Sequence, residues 1–190
     1  QAAERIYRSL GSPVEIDIAF AIEAGARLDW LPQETILYSG GRLERRIEVD
    51  VASGGTLLMA EMVVFGRTAM GESVETGALN DQWRIRRDGT LVLAEAVRID
   101  GPLRALMERA AIADGARAAA TVLYLATDAE ARLEGARAVL GTPRAVAAAG
   151  AWNGLLTARF LGQRAEDVRA DVCRLAEWLH GRPLPRAWSM

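Results

Sequence analysis

From Arg42 to Val51 the chain alternates without a break, and no other feature restricts its fold as tightly. Leu43, Arg45, Ile47, Val49 and Val51 share one side; Glu44, Arg46, Glu48 and Asp50 share the other. Successive side chains of a strand point to opposite faces, so this pattern predicts a β-strand with one face on a core and one on water. Val14, Ile16, Ile18, Phe20 and Ile22 alternate with Glu15 and Asp17 in the same way. Thr56 to Phe65 is apolar on both faces and predicts a central strand. Turns are expected at Gly25, at Gly40-Gly41 and at Ser53-Gly54-Gly55. Asp88-Gly89, between residues 83–87 and 90–93, is the strongest kind of short hairpin signal. Further strands are expected over residues 95–99, 121–126 and 152–161, with a short helix in 103–113. Two α-helices follow in the C-terminal third. One runs from an Asp128 cap to about Leu140; the other covers Ala165 to His180, with Val168, Val172, Leu175 and Leu179 as its apolar stripe. The expectation is a mainly β fold, one domain over residues 1–190.

The composition narrows function by exclusion. Net charge is −2 with signs mixed along the chain, which gives no basic stripe for nucleic acid. The single cysteine, Cys173, allows no internal disulfide and suits a reducing compartment. No apolar run reaches the roughly 18 residues that span a bilayer, and no signal peptide is visible. A cytoplasmic protein without membrane contact is expected. All 23 basic residues are arginine, so lysine Schiff bases, lysine general bases and the Walker lysine are unavailable.

Known catalytic constellations are likewise missing. Residues 66–73 have the spacing of a phosphate-binding loop, but Glu72 stands where that loop needs lysine and would repel phosphate. They read instead as a tight turn in which Arg67 pairs with Glu72 or another carboxylate, or as part of an interface. Cys173 and His180 lie about 10 Å apart along one helix, too far to share an ion, and no high-affinity metal site is expected. Cys173 reads as a small core residue and His180 as an exposed helix-end residue. No nucleophile stands beside that histidine. Glu34, Asp50, Glu61 and Glu72 leave a carboxylate-based hydrolase open as a rival reading, and a generic β-rich interaction module as another.

One ordered set of motifs is more specific. Trp30-Leu31-Pro32-Gln33-Glu34-Thr35-Ile36 is followed by Gly40 with Arg42 and Arg45, then by Phe65-Gly66-Arg67 with Ala69, Gly71 and Glu72. With the Asp88-Gly89 hairpin and Arg98-Ile99-Asp100-Gly101, this resembles the urease accessory protein UreD (UreH) family. The likeness extends to the terminal Pro185-Arg186-Ala187-Trp188. It implies a helical, β-solenoid-like stack of strands with two helices, and a scaffold rather than a catalyst. Such a scaffold binds apo-urease subunits and UreF, and recruits the GTPase UreG through UreF. It carries no tightly bound cofactor; nickel passes through a water-filled passage in transit. UreD-like proteins have additional strands ahead of this point, so the N-terminal strands are expected to be absent from this chain.

Under that resemblance Glu34, Glu61 and Glu72 are the candidates for lining a nickel passage. Trp30, Pro32, Gln33, Arg67 and Trp188 are interface or structural candidates. Glu61 matters most: it stands alone in the apolar run of Thr56 to Phe65. A carboxylate buried there must meet an arginine, with Arg45 and Arg67 at hand, or face internal water.

Overall fold

The computed structural model describes residues 3–66 and 74–188. Two sheets lie face to face, and three helices accompany them. In chain order the strands are β1 (Glu4–Ile6), β2 (Val14–Ile22), β3 (Arg27–Trp30), β4 (Thr35–Leu37), β5 (Arg42–Val51) and β6 (Thr56–Phe65). There follow β7 (Gly77–Arg87), β8 (Thr90–Gly101), α1 (Leu103–Met107), β9 (Ala118–Leu125), α2 (Leu133–Leu140), β10 (Val146–Trp152), β11 (Leu155–Gly162) and α3 (Ala165–His180). The larger sheet has the order β1-β4-β6-β9-β11-β10, with β3 also paired to β6; the smaller is β2-β5-β7-β8. The sheets do not close into a barrel.

Up to β7 the chain passes back and forth between the sheets, and the neighbours it makes in each are parallel. From β8 onward every new pairing is antiparallel. The early crossings are short because glycines turn the corners. A Cβ on Gly41 would lie 2.7 Å from the Ile6 carbonyl oxygen, which leaves no room for another residue there.

β6 is the central strand, and its two faces divide the core. Leu58, Ala60, Met62 and Val64 pack under α2 and α3, with Val168, Val172, Leu175 and Leu179 of α3 opposite. Leu57 and Met59 face the smaller sheet at one end of the sandwich, against Ile47, Val49, Trp83 and Ile85. Val63 and Phe65 face it at the other end, against Leu37, Leu43, Leu79 and Leu103. The inter-sheet core is thus two apolar clusters. Between them come Glu61 on β6, Arg45 on β5 and Asp81 on β7.

Several boundaries differ from the sequence reading. β8 is one strand of 12 residues, not two pieces. The region 103–113 holds only a five-residue helix. Asp128 caps nothing: its carboxylate takes the Tyr124 hydroxyl and the Arg132 guanidinium, and a 3-10 turn at Glu130–Arg132 precedes α2. The expected strand at 152–161 is a hairpin of β10 and β11, turned by Asn153 and Gly154 at φ of 52° and 71°.

Candidate functional site

The site is the polar layer between the two apolar clusters. Arg45 is its centre, placed there because the alternation of β5 points it inward with Leu43 and Ile47. Its register partner on β7 is Asp81. Arg45 Nε donates to Asp81 Oδ1 at 3.0 Å and Nη2 donates to Asp81 Oδ2, a bidentate fork. Nη1 crosses to the other sheet, where it donates to Glu61 Oε2 at 2.6 Å. Two indoles complete the layer: Trp30 Nε1 donates to Glu61 Oε1 at 2.6 Å, and Trp83 Nε1 to Asp81 Oδ1 at 3.0 Å. The arginine and glutamate side chains are each 4% exposed.

Burial pushes the Glu61 carboxyl above the usual carboxylate range, against the opposing pull of Arg45 and the Trp30 indole. Burial would weaken the Arg45 charge too, but the hydrogen bond to Asp81 and the neighbouring carboxylates outweigh it and hold the guanidinium firmly charged. Two carboxylates share one guanidinium, so the ionised trio carries a surplus negative charge in a buried layer. Every carboxylate oxygen of the trio accepts a hydrogen bond.

Cavities lie on both sides of this layer. The larger, about 480 Å³, is bounded by Glu61, Arg45, Asp81, Thr121 and Phe160, with Arg159 and Glu95 joined at 3.0 Å between β11 and β8. The smaller, about 100 Å³, lies toward β2 and β3 and is bounded by Glu61, Arg45, Trp30, Pro32, Gln33 and Thr35. Both volumes exceed what one water needs. The Gln33 amide nitrogen, in the wall of the smaller one, is buried without a hydrogen-bond partner. Only Arg45 and Glu61 do double duty here, as common wall between the two cavities.

The other expected site residues are distributed differently. Glu34 does not join Glu61: its Oε2 takes Arg169 Nη1 of α3 at 2.7 Å. Gln33 Oε1 accepts from Arg169 Nη2 at 3.0 Å, and the Trp188 indole donates to the Leu31 carbonyl at 3.0 Å. The motif from Trp30 to Ile36 therefore ties β6, α3 and the C-terminal turn together. Arg67 and Glu72 lie outside the described residues. His180 is not exposed, as its sequence position suggested; its side chain is 6% exposed, with Nε2 3.3 Å from Asp29. Cys173 is half-buried beside the Trp188 carbonyl, and burial raises its thiol. Among the described residues no group of three or more His, Cys, Asp or Glu could hold a metal ion. Asp81 and Trp83 were missed as site residues. The signal was there, since Asp81 shares the inward period of Leu79, Trp83 and Ile85.

Comparison with known proteins gives a consistent answer. Residues 1–189 match the family model described as UreD urease accessory protein. "Urease accessory protein UreD" of Azorhizobium caulinodans is 50% identical, covering 100% of this chain and 70% of its own length. That of Xanthobacter autotrophicus is 50% identical, over 99% of this chain and 65% of its own. "Urease accessory protein UreD 3" of Methylorubrum extorquens is 52% identical, over 99% of this chain and 64% of its own. The chain spans about two thirds of the length of these relatives.

Proposed function

The chain belongs to the UreD family of urease accessory proteins, which are not enzymes, and from that premise we propose that it is a scaffold through which nickel passes to apo-urease. The observation that carries this reading is the shared wall: Glu61 and Arg45 border a cavity on each side of the inter-sheet layer. Glu61 offers the ion a hard oxygen contact, weak enough to leave again, and Gln33 borders the same path. UreF is the partner expected beside urease, with UreG recruited through it, in the cytoplasm. The repeated crossing between the two sheets from β1 to β7, with β3 and β4 both on β6 of the larger sheet, supports reading the fold as a short helical winding of strands around this layer. Among the described residues, no helix is long and apolar enough to cross a membrane.

Replacing Glu61 by glutamine tests the reading. The assembly of urease, the accessory chain, UreF and UreG should form normally in a pull-down. Nickel per urease active site, measured by elemental analysis, should fall. Full nickel loading would return Glu61 to an ordinary ion pair, and loss of the assembly would make it a structural residue.

A further inference from the structure

The trio is asymmetric, and the asymmetry has a direction. Arg45 grips Asp81 with two hydrogen bonds inside one sheet, between strands already in register. It holds Glu61 with one, across the gap between sheets. Its other contact toward that side, Nη1 to Thr35 Oγ1, is 3.5 Å long. Glu61 keeps a second donor, the Trp30 indole, if the guanidinium leaves. The larger cavity borders Arg45 and gives Nη1 room to turn off Glu61 while the fork stays on Asp81. Charge points the same way. With Arg45 seated the trio is short of neutrality, so a divalent cation arriving at Glu61 Oε2 is attracted by the pair of carboxylates and repels the guanidinium.

We propose that the Arg45–Glu61 contact is a latch that closes the wall between the two cavities, with the Arg45–Asp81 fork as its hinge, and that a divalent cation taking Glu61 opens it. This rests on the ion-passage reading above. In the closed state Nη1 seals the layer and shields the surplus charge. In the open state Arg45 remains on Asp81, Glu61 remains on Trp30, and the two cavities become one.

The test uses the assembled accessory complex and apo-urease, following the rate at which added nickel activates urease. Glu61→Asp keeps the carboxylate but withdraws it by about one carbon–carbon bond, ~1.5 Å, enough to break the contact with Arg45. It should load nickel faster than wild type, by about tenfold if one charge-assisted hydrogen bond sets the closed population. Arg45→Gln, where it assembles, should also be faster, whereas Glu61→Gln, which lacks the carboxylate, should be slower. Should Glu61→Asp match wild type or fall below it while Glu61→Gln is slow, the passage stands and the latch is wrong. An assembled Arg45→Gln complex no faster than wild type overturns the latch as well. Unchanged loading in Glu61→Gln removes the passage and the latch with it.

Discussion

At the residue scale, the layer turns on Glu61, the one carboxylate of β6, held at 2.6 Å by both Arg45 and the Trp30 indole. One carboxylate in an otherwise apolar strand announces a buried charge, and Arg45 was visible as a partner because it interrupts an inward apolar period. Asp81 was not, since the strand holding it was started only at residue 83, although Asp81 shares the inward period of Leu79, Trp83 and Ile85. Which of several glutamates converge is a matter of register between strands far apart in sequence, and Glu34 went to α3 instead. The raised Glu61 carboxyl makes a prediction. A carboxyl raised above its ordinary 4.5 binds its proton more tightly in the folded chain. The stability it contributes is present below that value and is lost as pH rises through the raised one. Glu61→Gln cannot titrate, so melting midpoints across the acid to neutral range should diverge in the variant's favour as pH rises. Parallel curves would contradict the buried-charge account. Cys173→Ala, by contrast, should change neither assembly nor nickel content, because Cys173 packs at the edge of the α3 core cluster and its thiol meets the Trp188 carbonyl, away from Glu61 and Arg45; reduced loading in that variant would reopen the ligand question.

At the element scale, the strands with strict alternation and the long C-terminal helix were readable, because each pattern has one physical explanation. β10 was not. Its sequence, Val-Ala-Ala-Ala-Gly-Ala-Trp, has almost no strand propensity and is held by a full ladder to β11, so pairing overrides preference. The Asn153-Gly154 turn was the overlooked cue. The motif at residues 30–36 shows what a specific sequence block can mean structurally. Arg169 reaches Glu34, Gln33 and the Ala187 carbonyl, and lies over the Trp188 ring at 4.9 Å. Arg169→Ala removes all four contacts at once and leaves Glu34 short of a partner. It should cost about 2 kcal/mol in urea unfolding. A loss below about 0.5 kcal/mol would show that the C-terminal turn is not anchored there.

At the scale of the whole molecule, two sheets are held apart by apolar clusters at both ends and by a charged layer in the middle. A sandwich built only for stability would fill that middle with apolar side chains, since replacing a buried ion pair by well-packed hydrophobic residues is often neutral or stabilising. Here the layer coincides with the only wall shared by the two cavities described, which is why transit is the reading it supports. The most direct check separates the path from the charge. Thr121 stands opposite Glu61 on β9 and borders the larger cavity. Thr121→Trp fills that space next to Glu61 and leaves every ionised group in place, at an overpacking cost of about 1–3 kcal/mol. Nickel per urease active site, measured by elemental analysis after maturation with an accessory complex shown by pull-down to be intact, should fall well below the wild-type value. Wild-type nickel content with the cavity filled would mean that nickel does not travel through this molecule.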